Sequence, residues 1–523
     1  MRLAHRLYFI FFLLLTPLPV CRGTESAEVN LDYVAQRAEA KARLPFHSPK
    51  LELPEILKAD KLDYDKYREI RFRRDHALWS SENLPFQVEF FHPGYLYQEP
   101  VRINEFSFNY VQPVRFVQDF FDYGGMKLQK HIPANTGYAG FRLIYALNKP
   151  GQMDELGAFL GASYYRLLGR GQRYGQSARG LAIDCGEWAR PEEFPIFTEW
   201  WLGKPLPGAS SIHLFAILDS VSLVGAYEFQ IKPGENTVAD IDAVIYLRPD
   251  NLIHAVDAEK KPLVTIGMAP LTSMFWFGKN SERKFDDYRP EVHDSDGLLM
   301  RMQNGEILWR PLNNAARMSH QQFDTRDIRG FGLMQRSRDF ADYQDIFNSY
   351  DSVPSVWIEP KGHWGEGSVH LVELSTTYEG LDNIVAYWDP KTKPLPLKPF
   401  HFGYTQYWTK DIDRRISPNR AIATRIGADP RELTRRRQFV VDFSGPKLTA
   451  LDEKTFPAAI TSCSDNGTIV ETQTFKLPTP GVYRAIFKME PKPGNLNPVD
   501  LRCSLKNGEE ILTETWTYHW SPP

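Results

Sequence analysis

Apolar residues recur at helical spacing among charges over residues 29–43, and this spacing predicts an N-terminal helix. A second helix is expected near residues 60–68, and a short one over 153–160. From about Pro85 the pattern changes to strand-length segments. Phe86-Gln-Val-Glu-Phe90, Ser211-Ile-His-Leu-Phe-Ala-Ile-Leu218 and Asp240-Ile-Asp-Ala-Val-Ile-Tyr-Leu247 alternate or run apolar, and Gly, Pro, Asn and Asp clusters separate them. No repeat of 20–50 residues accompanies them. The pattern to about residue 389 fits a large β-sandwich and not alternating βαβ units.

The clearest boundary is the run DPKTKPLPLKP at 389–399, where four prolines in eleven residues predict a stiff linker. Beyond it, Tyr404-Thr-Gln-Tyr-Trp408, Phe439-Val-Val-Asp-Phe443 and Tyr483-Arg-Ala-Ile-Phe-Lys-Met489 read as strands of a second, immunoglobulin-like sandwich. The expected organisation is a leader at 1–23, a sandwich at 24–389, a linker at 390–400 and a smaller sandwich at 401–523. An arginine-rich stretch at 414–437 lies between strands of the second unit and reads as a solvated loop, or as a loop that closes over a polar ligand or a partner subunit.

Composition narrows the function classes. The net charge is −3 across 523 residues, which excludes a protein that coats nucleic acid through a basic excess. Apolar residues make up 42% and charged residues 24%, which is ordinary globular composition. Aromatics reach 13%, enough for a large β core or for a cleft with flat ring faces. The first 23 residues read as a secretory signal. Arg2 and Arg6 precede the apolar run Leu7-Tyr-Phe-Ile-Phe-Phe-Leu-Leu-Leu15, and Cys21-Arg-Gly23 places small residues before a cleavage point. An exported, periplasmic chain beginning near Thr24 is the expectation. After cleavage three cysteines remain, of which Cys463 and Cys503 could pair. No Cys/His cluster has metal-ligand spacing, and no cofactor motif is present. His293-Asp-Ser-Asp-Gly297 hints at a calcium loop, but Val292 stands where the first ligand would fall.

What remains is carboxylates with aromatics and arginines. The loop Tyr288-Arg-Pro-Glu-Val-His-Asp-Ser-Asp-Gly297 concentrates three acids, Arg289 and His293. Glu379-Gly-Leu-Asp-Asn383 places further acids before the strand Ile384-Val-Ala-Tyr-Trp388. Glycoside cleavage needs one carboxyl to protonate the leaving oxygen and a second to activate water or attack carbon. Tyr350, Trp357 and Trp364 lie in sequence between the two acidic segments and are expected as sugar-stacking faces, Trp364 above all. Arg289, His293 and Asn383 are expected beside them as substrate-binding groups.

Several long segments carry a resemblance. They are Gly161-Ala-Ser-Tyr-Tyr-Arg-Leu-Leu-Gly-Arg-Gly-Gln-Arg-Tyr-Gly-Gln-Ser-Ala-Arg-Gly-Leu-Ala-Ile-Asp184, Ala269-Pro-Leu-Thr-Ser-Met-Phe275, Leu308-Trp-Arg-Pro-Leu-Asn-Asn314, Gly330-Phe-Gly-Leu-Met-Gln-Arg336 and Asp382-Asn-Ile-Val-Ala-Tyr-Trp388. With them the chain resembles the periplasmic glucans biosynthesis protein G/D family, from about residue 28 to 520, and looks closest to its D type. The resemblance implies a role in making osmoregulated periplasmic glucans, whose backbone is β-1,2-linked glucose. It implies a galactose-mutarotase-like sandwich followed by an immunoglobulin-like one. It also implies an inverting endo-β-1,2-glucanase, with Asp382 matching the general acid and Asp294 the general base. Expected partners are the glucan chain, a membrane glucan synthase and a second copy of the chain. Two alternatives stay open: a glucan transglycosylase of the same fold, and a non-catalytic protein that guides the nascent chain.

Overall fold

The computed structural model describes residues 28–522, apart from 51, 109, 127, 129–131, 134, 282–284, 434, 435, 453 and 495. The expected leader at 1–23 lies outside the described residues. The N-terminal helix spans Leu31–Ala42, with the Asn30 side chain accepting from the Tyr33 amide as an N-cap. Its buried stripe of Val34, Ala35, Ala38 and Ala42 packs on Trp201, Phe215, Val224 and Tyr246, on the outer face of a sheet. The second helix is Tyr64–Glu69, capped by Asp63. The segment expected as a short helix at 153–160 is instead the strand Gln152–Leu160, hairpinned through Gly151 to Gly140–Lys149. Pairing on both edges, against Gly140–Lys149 and Tyr164–Leu167, outweighs a weak local helical preference.

The chain is mostly β. A sheet of ten strands carries Ser177–Arg179, Ile266–Ser273, Ile384–Pro390 and Glu366–Glu373 side by side. A sheet of fifteen strands runs from Tyr110–Pro113 at one edge through Thr237–Leu247, Phe400–Thr409, Ser355–Pro360 and Gly297–Arg301. The main core fills the space between these two layers, with Trp200, Trp388, Trp408, Tyr165 and Tyr227 among its largest buried side chains.

The domain boundary needs correction. Phe400–Thr409 pairs in long register with both Thr237–Leu247 and Ser355–Pro360, so it is an interior strand of the first sandwich. The proline-rich segment 390–400 connects two strands of that same sandwich, and the Leu397 amide donates to Leu247 O at 2.9 Å. The second unit starts after residue 409. Its four-stranded sheet, Arg420–Ala428, Arg437–Ser444, Val482–Pro491 and Gly467–Lys476, packs against Val499–Asn507 and Thr515–Trp520. Those two strands continue the fifteen-stranded sheet, because Thr515–Trp520 pairs in parallel with Ile307–Pro311. The arginine-rich stretch is not one loop: Arg414 and Arg415 end the short helix Ile412–Ile416, Arg420 and Arg425 lie in the strand Arg420–Ala428, Arg437 opens the next strand, and Arg435 lies outside the described residues. Cys463 and Cys503 are both free: Cys463 lies opposite Leu501, and Cys503 opposite Thr461.

Candidate active site

Asp382 ends the loop that feeds the strand Ile384–Pro390, and Asn383 sets its place. The Asn383 amide closes three hydrogen bonds. Its Oδ1 accepts from the Phe275 amide at 2.8 Å, and its Nδ2 donates to Phe275 O at 3.0 Å and to Leu374 O at 2.9 Å. With its polar atoms spent on backbone and its side chain buried, Asn383 is a positioning residue and not the sugar ligand the sequence suggested. Asp294 follows the short strand Val292–His293, and its amide donates to Met274 O at 2.8 Å. The two acids thus hang from neighbouring ends of the Met274–Phe275 turn.

Behind Asp294, the Gln176 amide donates to Asp294 O, Leu333 O and Pro354 O at 3.0–3.2 Å. A Cβ on Gly175 would fall 2.8 Å from the Asp294 Oδ1 and would collide with Val353, so only glycine lets the carboxyl sit there. The charge of Arg166 acts on both acids. Its Nε donates to the Ser177 hydroxyl at 2.7 Å, and its Nη2 lies 3.6 Å from Asp382 Oδ2. A cavity of about 530 Å³ opens beside Asp382, lined by Tyr164, Arg166, Arg179, Cys185 and Glu192.

The carboxyls sense each other. Asp294 is 6% exposed, and burial together with the charge of Asp382 pushes its pKa up to about 7 against the pull of Arg166. Asp382 is also raised by burial, with Arg166 and Arg179 holding it down. Its side chain keeps 33% of its exposure. No hydrogen bond joins the two carboxyls.

The other expected residues are distributed differently. Tyr350 is beside the pair: its hydroxyl donates to Glu379 Oε2 at 2.8 Å, and burial and Asp294 raise its pKa. Arg289 does not reach into the cleft but knots three loops, through Asp287 at 2.8 Å, Asp345 at 2.9 Å and Glu379 at 2.7 Å. His293 is fully buried between Glu291 Oε2 at 3.1 Å and Gln335 Oε1 at 2.9 Å. Burial pulls its pKa down, but Asp296 and Glu291 outweigh it and hold the ring charged more readily than usual. Glu291, His293 and Asp296 bring ligand-type atoms within 4.8 Å of one another, but the Lys279 ammonium already lies 3.0 Å from Glu291.

Trp357 is fully buried in the core between the fifteen-stranded sheet and the second unit. Trp364 sits in the turn before Glu366–Glu373, where its Nε1 donates to Gly403 O at 3.2 Å and its ring faces Trp388 and Tyr404. Since Gly367 pairs with Pro390 while Glu373 pairs with Ile384, that turn is at the far end of the strand from Asp382, roughly 20 Å away at ~3.3 Å per residue. Neither tryptophan lines the acid pair. The sequence reading missed Arg166, Gly175, Gln176 and Arg179, although all four lie in the segment 161–184 that carried the longest likeness. No local signal marked them, because their partners are 93 to 216 residues away.

A β-sandwich whose cleft holds two raised carboxyls in the field of one arginine belongs to the class of all-β proteins with an acid pair at one rim of the layers. Within that class, the chain belongs to the periplasmic glucan biosynthesis protein family. The family model described as "Periplasmic glucan biosynthesis protein, MdoG" matches residues 29–520. The chain is 43% identical over 491 residues to the glucans biosynthesis protein G of Bradyrhizobium diazoefficiens, a match that covers 94% of this chain and 93% of that relative. The family is periplasmic by its description, in keeping with the exported chain expected from the leader.

Proposed function

We propose that the chain cleaves the β-1,2-linked glucose backbone of osmoregulated periplasmic glucans, as an inverting glycoside hydrolase. Asp382 gives its proton to the glycosidic oxygen as the C1–O bond breaks. Asp294 takes a proton from the water whose oxygen bonds to C1 from the opposite face. The observation that supports this reading is a pair of raised carboxyls, Asp294 being raised in part by the charge of Asp382. An inverting reaction needs the two carboxyls roughly 6.5–9.5 Å apart, since water must fit between base and sugar. The acid must also be neutral, and a sugar chain lying over Asp382 would strip its remaining water and raise its pKa further. Asp382 and Asp294 keep the residue type that both roles require.

The working form is the pair with Asp382 protonated and Asp294 ionised. A glycosyl transferase of the same geometry would differ only in the attacking group, a sugar hydroxyl in place of water. A reducing-end assay with purified protein and linear β-1,2-glucan separates the readings. New reducing ends support hydrolysis, redistribution of chain length without them supports transfer, and neither outcome leaves a glucan-binding protein. Asp382→Asn and Asp294→Asn are each expected to lower turnover by about 10²–10⁴ with glucan binding retained. Near-normal turnover in Asp382→Asn would exclude it as the acid.

A further inference from the structure

Three exposed aromatic side chains stand on the loops that Arg289 ties together, and the loop of Tyr378 runs on to Asp382. Tyr288 is 71% exposed, Phe347 87% and Tyr378 57%. Each is next to a residue of the ionic knot. Tyr288 precedes Arg289, Tyr378 precedes Glu379, and the Phe347 amide donates to Asp345 Oδ1 at 2.9 Å. None of the three rings packs against another ring. Exposure on a floppy loop would need no explanation, but these loops are clamped. The Thr376 hydroxyl donates to Tyr378 O at 2.8 Å and accepts from the Tyr378 amide at 3.3 Å. Thr376 is itself held by Asn314, whose Oδ1 accepts from its amide at 3.0 Å and whose Nδ2 donates to its carbonyl at 2.8 Å. The Tyr378 ring folds back over Gly380, where a Cβ would collide with it. Gly380 in turn borders the cavity that holds Asp382.

We infer that Tyr378, flanked by Phe347 and Tyr288, forms a rigid stacking subsite that takes the C–H face of a glucose unit next to the bond held at Asp382. This rests on the glucan reading above. A pyranose ring presents axial C–H groups on one face, which fit an aromatic π-face, and a rim of hydroxyls, which fit carboxylates and guanidinium groups. The rim here alternates in that way: ring faces at 288, 347 and 378, charges at 287, 289, 345 and 379. The core of a protein–protein interface is depleted of charge, and this patch is not. Pre-held loops also spare the ligand the entropy of ordering them.

The test uses the full-length mature chain carrying Asp382→Asn, so that binding is measured without turnover. Calorimetric titration with linear β-1,2-glucan is compared before and after adding Tyr378→Ala, Phe347→Ala or Tyr288→Ala. Tyr378→Ala is expected to weaken binding about 3- to 10-fold with Tm unchanged, and Tyr378→Phe to restore it. Unchanged affinity in all three alanine variants overturns the subsite while leaving the glucan reading intact. A fall in oligomeric mass by light scattering on Tyr378→Ala or Phe347→Ala also overturns it, and assigns the rings to contact with a second copy. Absence of any binding by the Asp382→Asn parent removes the glucan reading and this inference together.

Discussion

Asp294 is where one side chain makes the site both costly and useful. Its carboxyl sits near pKa 7 in the fold against an ordinary value of ~3.9, so the folded state prefers the protonated form. The stability this contributes is complete below about pH 4 and is lost as pH rises to about 7, because the buried group must then ionise beside Asp382. The full penalty is at most about 4 kcal/mol. Asp294→Asn removes it, so the variant should melt close to wild type at pH 4 and clearly above it at pH 8. Equal differences at the two pH values would show that the carboxyl is not raised. The same titration governs activity. Asp294 must be ionised to take the proton of water, so kcat/KM should rise as pH rises through about 7. Arg289 and His293 act at one remove. The first aligns the loops bearing Glu379 and Asp345, and the second anchors the base loop through Gln335.

At the level of elements, the tryptophans illustrate how a strand's two faces decide a residue's fate. In Ser355–Pro360, Trp357 turns outward from the main core, yet the second unit covers that face with Phe439, Phe487 and Trp516. Its replacement by alanine should cost about 3–5 kcal/mol, seen as a large drop in Tm, while glucan affinity of the surviving folded protein stays near wild type. Weakened binding at unchanged Tm would instead return Trp357 to the cleft. Trp364 follows the same logic at the edge of the main core, where it closes the end of the layers opposite Asp382.

The whole molecule is held by an interface that includes a buried charge cluster. Glu514, 3% exposed, accepts from Arg336 at 2.8 and 3.0 Å, from the Ser417 hydroxyl at 2.5 Å and from the Ala421 amide at 2.9 Å. Arg336 also stacks on Trp309 with its guanidinium 3.5 Å from the ring centroid. The first sandwich supplies Arg336 and Trp309, and the C-terminal unit supplies Glu514, Ser417 and Ala421. Truncation at residue 399 would remove Phe400–Thr409 from between two strands, exposing a row of unpaired backbone groups on each. Such a fragment should be insoluble or lack a cooperative melt, by expression trial and calorimetry. A soluble, cooperatively folding fragment 24–399 would restore the boundary read from the prolines.

Local pattern was enough for the elements that bury one regular face. The helix at Leu31–Ala42, the strands at Phe86–Phe91 and Thr237–Leu247, and the all-β character follow from spacing that any window of the chain displays. The acids Asp294 and Asp382 could be picked out because long ordered motifs surround them. Three other matters were settled only by the tertiary structure. Proline density predicted a break at 390–400, but pairing on both edges of the next strand kept it in the first sandwich. Turn-like surroundings predicted an exposed Trp364, but strand register placed it over the core. And no window shows that Arg166, Gly175 and Gln176 meet Asp294 and Asp382, because contacts spanning 118 to 216 residues arise from sheet order and leave no periodicity along the chain.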